Sequence, residues 1–455
     1  MIDKFFNAKN VAIVGASANP NKLGNNILVN FKKNFKGDIY PVNLNEKNIE
    51  GLKVYRSIKD IKNGVDLAVV VVPAKIANKM VEECSECNIN SIIIISAGYR
   101  ESGSEGIILE NKLKQIITSR GVRVIGPNCI GVLDTHNGVD TIFSPSEKMK
   151  RPREGKISII SQSGAFGAAF IDWCAEHNMG INKFASFGNR VDVDEIDLLK
   201  YYYEDKNTDL VIIYIEGPKN GRKLMELLKK TTKKKPVIVL KAGKSESGAK
   251  AAASHTGSLA GVYKIFSAAM KQAGATEARY LDELFDFTKI LSKQKPAKGE
   301  RVAIVTNGGG YAVLSADACI YKDMKLAEFS HKTITEIKKV MPSFAMVHNP
   351  LDLIGDATKE RFETAIQCCI KDRNIDLIVV FIWALGTTLD ENVTDSIIQA
   401  AKKSGKPIIC GGVGSDYTKR MLLRLEDAGI PTFPTPIRAM NAAKALVNYG
   451  KIKKI

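Results

Sequence analysis

One histidine in this chain has neighbours that suit it to nucleophilic chemistry. His255 lies in Lys241-Ala-Gly-Lys-Ser-Glu-Ser-Gly-Ala-Lys-Ala-Ala-Ala-Ser-His-Thr-Gly-Ser-Leu-Ala-Gly261, directly after the strand-like run Pro236-Val-Ile-Val-Leu240. A neutral imidazole can accept a phosphoryl group, and a Gly/Ala/Ser-rich stretch reads as a soft tether that lets it move between two places. The other reading is a surface loop with an idle histidine. Glu216 follows the apolar run Leu210-Val-Ile-Ile-Tyr-Ile215, and the carboxyl end of a strand is where catalytic groups gather. Beside an imidazole, a carboxylate fixes the tautomer and stabilises the cationic form, which a phosphorylated histidine resembles. Otherwise Glu216 is a loop acid.

Two glycine-bearing turns offer anion sites. Ser161-Gln-Ser-Gly-Ala-Phe-Gly167 stands between a strand and a helix pattern. Ser163 and Gly164 would hold a phosphate at that helix start, or Ser163 is an ordinary N-cap. The other turn, Val14-Gly-Ala-Ser-Ala-Asn-Pro-Asn-Lys-Leu-Gly-Asn-Asn-Ile27, resembles a dinucleotide loop but lacks the three-glycine fingerprint, because no second glycine follows Gly15 until Gly24. The next strand ends Pro41-Val42-Asn43, with no acid for the ribose of a nicotinamide cofactor. Coenzyme A suits this loop better, with Lys22 available to a phosphate. A plain tight turn is the alternative. Gly243-Lys244-Ser245 echoes the end of a P-loop, but Ile238 stands where the first glycine belongs. Cys84-Ser-Glu-Cys87 has a metal-like spacing inside a helical pattern, with no second pair, and reads as two helix cysteines.

The elements that must position these residues repeat one theme: a β-branched run, a turn, an amphipathic stretch. Strand candidates are Val11–Val14, Asp38–Val42, Leu67–Val72, Ile92–Ile95 and Arg123–Ile125, with helical patterns over Ala77–Cys87 and Gly106–Ser119. A second set contains Ile157–Ile160, Leu210–Ile215 and Val237–Leu240, and a third Val302–Val305, Leu377–Ile382 and Pro407–Ile409. The pattern predicts doubly wound, mainly parallel α/β sheets. Basic, strandless segments at 146–155 and 293–300 divide the chain into three α/β domains: 1–145, 146–295 and 296–455.

Size and composition agree. The chain has 455 residues, which suits about three domains of roughly 150 residues. Hydrophobic and charged contents of 45% and 25% are those of a globular protein. No apolar run spans a bilayer and the N-terminus has no long apolar segment, so the expected location is the cytoplasm. The net charge is +17, but its basic runs are scattered without interleaved aromatics, so nucleic acid is not an expected partner. The eight cysteines lie in mixed contexts, several of them in apolar runs, as reduced thiols do.

The motifs together carry a resemblance. The Gly15 loop, Ser96-Ala-Gly-Tyr-Arg-Glu101, Ile125-Gly-Pro-Asn128, Ser161-Gln-Ser-Gly164, Ile215-Glu-Gly217 and Ser254-His-Thr-Gly257 resemble the α subunit of ADP-forming acetyl-CoA (acyl-CoA) synthetase. More distantly, they are similar to the α subunit of succinyl-CoA synthetase. In the last third, Thr306-Asn-Gly-Gly-Gly310, the run Asn349–Arg361 and Phe381-Ile-Trp-Ala-Leu-Gly386 resemble the carboxy-terminal domain of that ligase's β subunit. The likeness covers essentially the whole chain. It implies a Rossmann-like CoA-binding domain followed by two flavodoxin-like domains of the succinyl-CoA synthetase type.

It also implies a reaction, in which acyl-CoA, ADP and phosphate interconvert with free acid, CoA and ATP. The resemblance puts CoA on Gly15, Ala16 and Ser17, on Val42 and Val72, along Ser96, Ala97 and Gly98, and at Asn128. It makes His255 the phosphorylated histidine and Glu216 its stabilising carboxylate. Ser163 and Gly164, with Asn307, Gly308 and Gly309, become a phosphate cradle built from two helix starts. Ala165 stands where the succinyl-type enzyme has a threonine, a departure at the phosphate or acyl contact. ATP formation in this family needs an ATP-grasp fold for which this chain shows no additional segment. The implied partner is therefore an ATP-grasp β subunit in an α2β2 assembly, with Mg2+ on its nucleotide and no metal site here. The competing readings are a succinate-CoA ligase subunit, a non-catalytic CoA-binding regulator and, disfavoured by the missing fingerprint, a nicotinamide oxidoreductase.

Overall fold

A computed structural model describes residues 2–256 and 262–453, with the main chain alone at 252–256. The chain divides into two compact units, the first ending at Glu277 and the second beginning at Ala278. Among the described residues no helix is long and apolar enough to cross a membrane.

The first unit holds two sheets. Strands β1 (Asn10–Val14), β2 (Asp38–Val42), β5 (Leu67–Val70), β6 (Ser91–Ile94) and β7 (Arg123–Ile125) form a parallel sheet in the order β2-β1-β5-β6-β7. A two-strand hairpin, β3 (Asn48–Ile49) and β4 (Leu52–Lys53), stands beside it. The crossovers are α1 (Leu23–Asn34), α2 (Ala74–Glu86) and α3 (Ser104–Arg120). The order reverses beside β1, whose carboxyl end is the switch point where open sheets bind ligands. The strands are buried along nearly their whole length because helices cover both faces. Cys84 is fully buried on α2, and burial pushes its thiol up.

The second sheet contains β8 (Gly131–Asp134), β9 (Val139–Asp140), β10 (Glu154–Ser161), β11 (Ile181–Ser186), β12 (Leu210–Ile215), β13 (Val237–Lys241) and β14 (Thr276–Ala278). Its order is β14-β13-β12-β10-β11-β8-β9. Its helices are α4 (Gly164–Glu176), α5 (Glu195–Glu204), α6 (Gly221–Lys234), α7 (Glu246–Thr256) and α8 (Tyr263–Gln272). The second unit adds a sheet of β15 (Arg301–Thr306), β16 (Lys325–Leu326), β17 (Leu351–Asp352), β18 (Leu377–Phe381), β19 (Ile408–Gly411) and β20 (Thr432–Phe433). Around it run α9 (Leu281–Lys293), α10 (Gly309–Tyr321), α11 (His331–Lys338), α12 (Lys359–Lys371), α13 (Val393–Lys403), α14 (Asp416–Asp427) and α15 (Pro436–Lys453).

Three features differ from the sequence expectation. β8 and β9, assigned to the first domain, pair antiparallel into the second sheet, where β8 bonds β11. Helix α9, assigned to the second domain, belongs to the second unit, where Lys289 pairs with Glu426 at 2.6 Å and Asp286 with Arg438 at 2.8 Å. The segment read as a soft tether is a helix over Glu246–Thr256. Ser245 opens it, its Oγ accepting from the Gly248 N–H at 3.1 Å, and alanine, the best helix former, continues it through 251–253.

The second and third sheets repeat a local device. Asp205-Lys-Asn-Thr-Asp209 and Asp372-Arg-Asn-Ile-Asp376 each end a helix and lead into a strand. The two aspartates that open these segments accept from the N–H of Asn207 and Asn374 at 3.1 and 2.9 Å. A lysine before the following strand then closes the helix end. Lys235 donates to the carbonyls of Tyr202 and Asp205 at 2.7 and 2.5 Å, and Lys406 to those of Cys369, at 2.9 Å, and Asp372. These ammonium groups satisfy last-turn carbonyls that the helices leave open. Burial draws Lys235 down to about 8 and lowers Lys406 as well.

Candidate functional site

The loop after β1 is fixed by close backbone contact. Gly15 has φ +94°, and a Cβ there would meet the Val71 carbonyl oxygen at 2.5 Å. A Cβ on Gly24, in the first turn of α1, would meet the Gly15 oxygen at 2.1 Å. The two glycines let the helix start sit on the loop. Ala16 and Ser17 are buried beneath it, the Ala16 carbonyl held by Asn43 Nδ2 at 2.7 Å and the Ser17 carbonyl by Asn25 Nδ2 at 2.8 Å. Asn43, where a ribose-binding acid would stand, is thus a brace for the loop. Lys22 is exposed at the N-cap of α1, which no side chain caps.

Neighbouring strand ends complete this edge. Val42 is buried and Val72 half-buried, and Ser96 Oγ donates to the Val72 carbonyl. Ala97 is exposed, and Gly98, at φ +106°, donates its N–H to Glu101 Oε1 at 2.7 Å. Asn128 donates its N–H to the Ser96 carbonyl at 3.0 Å. The first sheet's edge is locked to the second by Asn189, whose Nδ2 donates to Glu101 Oε2 at 2.6 Å and to the buried Glu110 at 3.0 Å. Its own N–H donates to the Pro127 carbonyl at 2.9 Å. Arg123 spans the same seam, bonding Asp192 at 2.8 Å and Asp197 at 2.9 Å. The nine residues assigned to CoA by resemblance, and Lys22 with them, therefore lie at or beside the carboxyl edge of the first sheet.

On the second sheet, Ser163 is the N-cap of α4, with its Oγ accepting from the Phe166 N–H at 3.3 Å. Gly164 begins the helix against Ile130, whose Cγ2 a Cβ would meet at 2.7 Å. Gln162 ties this cap to the end of β12: its Oε1 accepts from the Glu216 N–H at 2.9 Å, and its N–H donates to the Tyr214 carbonyl at 3.1 Å. Glu216 is only 8% exposed, and its Oε2 is buried without a hydrogen-bond partner among the described residues. A buried carboxylate oxygen needs a donor, and none of the described residues supplies it. Burial and the Glu216 charge raise the Tyr214 hydroxyl to about 12. His255 falls within α7, whose main chain comes against the turn Arg100–Ser102 just past the Ser96–Gly98 loop. The His255 side chain and Gly257 lie outside the described residues.

The second unit carries the matching turn. Asn307 is buried and makes a reciprocal pair with Trp383, Nδ2 to the carbonyl at 2.9 Å and Oδ1 from the N–H at 2.8 Å. Gly308 caps α10 without a side chain, and Gly309 opens the helix, exposed to solvent. The register of the two sheets makes Asn307 the counterpart of Gln162 and Trp383 that of Glu216. The second turn thus repeats the first with an indole in place of the carboxylate.

Helices α1, α2, α4 and α10 all start without an acidic residue in the first turn, which leaves the positive ends of their dipoles to an anion. Among the described residues no cluster of three or more His, Cys, Asp or Glu could hold a metal ion. Gln162 and Lys241, which touch Glu216, are site residues that the sequence reading missed. The only signal for either was a polar residue adjoining a buried strand.

These sites sit within recognisable domains. Residues 9–135 match the family described as CoA binding domain, 154–291 the succinyl-CoA ligase like flavodoxin domain and 302–441 the ligase-CoA domain. Together they define a ligase with a CoA-binding domain. The chain is 41% identical to "Acetate--CoA ligase [ADP-forming] II subunit alpha" of Pyrococcus furiosus, over 99% of this chain and 98% of that one. It is 40% identical to "Acetate--CoA ligase [ADP-forming] I" of Archaeoglobus fulgidus, covering 99% of its own length but 64% of that longer protein. In structure it is similar to a dinucleotide forming acetyl-coenzyme A synthetase 1 of Ca. Korarchaeum cryptofilum, solved with phosphate and ADP. The TM-score is 0.94 and the identity 35%, over 100% of this chain and 98% of the other. The chain belongs to the ADP-forming acetate–CoA ligase family.

Proposed function

We propose that this chain is the α subunit of an ADP-forming acyl-CoA ligase and runs the CoA and phosphate half of the reaction. In the direction of ATP formation, a phosphate oxygen attacks the thioester carbonyl carbon and the carbon–sulfur bond breaks. CoA leaves and takes up a proton, and an acyl phosphate remains. An imidazole nitrogen of His255 then attacks phosphorus, the bond to the acyl oxygen breaks, and the carboxylate departs. His255 holds the phosphoryl group until ADP accepts it. Glu216 orients the imidazole and balances its positive charge.

The observation that carries this reading is Glu216, whose Oε2 is buried without a partner among the described residues and whose N–H is tied through Gln162 to the α4 helix start. The α4 N-terminus at Ser163 and Gly164 holds the phosphate, and in the second unit the turn at Asn307, Gly308 and Gly309 carries a helix start of the same kind. The residues fit CoA on the other side. Gly15 and Gly24 leave the loop backbone open to a phosphate, Lys22 supplies charge, and Ala16, Ser17, Val42, Val72, Ser96, Ala97, Gly98 and Asn128 line the same edge. The partner is an ATP-grasp β subunit, which brings ADP and its Mg2+ in an α2β2 assembly. Two relatives support this reading, one named as an α subunit and the other a longer single chain.

The purified chain mixed with an ATP-grasp subunit of this family is expected to form ATP from acetyl-CoA, ADP and phosphate, and neither component alone should do so. The measurement is luciferase-detected ATP with acetyl-CoA present or withheld. ATP that forms equally without a CoA thioester, or none from any of a panel of acyl-CoAs, would overturn the proposal.

A further inference from the structure

Lys241, the last residue of β13, is 1% exposed. Lysines are almost never buried so fully unless paired. The β12–β13 register sets it opposite Ile215, one residue before Glu216. Its ammonium donates to the main-chain carbonyl of Glu216 at 2.7 Å and to that of Ala242 at 2.8 Å. It also stands 5.7 Å from the centre of the Phe266 ring. These partners satisfy two of its three donors, but none of them carries a negative charge.

Other charged groups stand near this corner. Arg190, before α5, donates to the Gly217 carbonyl at 2.6 Å, but it pairs with the buried Glu195 at 3.4 Å. Glu195 also accepts from the Lys219 N–H at 2.7 Å. Burial disfavours the Lys241 charge, Glu216 favours it, and Lys244, in the turn after β13, disfavours it. Among the described residues Lys241 is therefore the buried cation whose charge the Glu216 carboxylate favours. It holds Glu216 by the main chain, and no described residue bonds Oε2.

We propose that Lys241 is the positioning residue for Glu216: it clamps the strand end that carries the carboxylate and supplies the counter-charge that keeps it available to His255. This rests on the role of Glu216 proposed above. A clamp with no electrostatic part would act the same way whatever side chain stood at 216. A counter-charge would not.

The test is a double-mutant cycle on the full chain, read as the rate at which acetyl-CoA and labelled phosphate label His255. Lys241→Met is expected to slow labelling about 10–100-fold, the usual effect of removing a group that orients a reacting one. CoA binding should be retained, and Lys241→Arg should restore most of the rate. In a Glu216→Gln background, Lys241→Met should add less than about threefold, because contacting residues are not additive. Equal slowing in both backgrounds, or full-rate labelling by Lys241→Met, would overturn the proposal.

A second readout does not depend on labelling. Lysine side-chain carbon NMR, with Lys241 assigned by its loss in Lys241→Arg, should show Lys241 titrating at lower pH in Glu216→Gln than in the wild type. An unchanged titration would overturn the pairing alone, leaving the phosphohistidine mechanism intact. The shift without any label on the wild-type chain would instead sink the mechanism and, with it, the positioning role.

Discussion

Glu216→Gln is expected to slow phosphoryl transfer to His255 by about 10²–10³-fold, the scale on which a positioned electrostatic group acts in a dry site. The substitution is nearly isosteric. The main-chain bond to Gln162 and the Lys241 contact to the carbonyl both survive, because neither uses the side chain that changes. What disappears is the negative charge on a group only 8% exposed. The amide cannot balance a positively charged imidazole, and a low local dielectric makes that charge count for more than it would in water. Stability should move by about 1 kcal/mol or less, since losing a buried charge and unbalancing Lys241 act in opposite directions. Single-turnover labelling and thermal unfolding of the same preparation check both halves. A variant that labels at the wild-type rate would remove Glu216 from the mechanism.

Gly24→Ala is expected to weaken CoA binding by on the order of 100-fold, which is about 2.7 kcal/mol. The added Cβ would meet the Gly15 carbonyl oxygen at 2.1 Å, and this is main chain that cannot swing aside. Relief requires α1 to lift from the loop, carrying Lys22 and the helix N-terminus away from the phosphate they would hold. The same clash should lower stability by about 1–3 kcal/mol, as overpacking does. Gly221→Ala is the control, because its nearest neighbour is Pro218 Cγ at 3.7 Å, an ordinary contact, so it should keep CoA affinity and change stability by about 0.5 kcal/mol or less. Calorimetric titration of both variants with CoA decides the matter, and equal affinity in the two would contradict the loop's role.

Much of the fold was legible because its signals are local. β-Branched runs ending in glycine turns mark strands buried on both faces. The run Arg123–Ile125 is a strand over those residues, and Leu210–Ile215 likewise. The pairing of β8 with β11 was not legible, because it depends on hydrogen bonds between residues some fifty positions apart, such as Lys183 opposite Asp134. Helix α7 was misread as a tether because glycine and serine suggested mobility, whereas its alanines carry helical propensity through them. At the site, Gly15, Ser163 and Glu216 were visible as residue types at strand ends. Gln162 and Lys241 were not, since a polar side chain beside a buried strand gains meaning only from the partner the fold gives it. The same holds for Asn307, which the sequence offered for phosphate and whose side chain is engaged with the Trp383 main chain. Its turn can still offer main-chain N–H groups.

The most direct measurement of the central claim uses the purified chain with acetyl-CoA and radiolabelled phosphate, without nucleotide or partner. The protein is digested and tested for acid-labile, base-stable label, with His255→Ala as the control. Label is expected on the peptide containing His255, dependent on the CoA thioester and absent from His255→Ala. Label elsewhere, label that survives in His255→Ala, or none with any of a panel of acyl-CoAs even after an ATP-grasp partner is added, would contradict it.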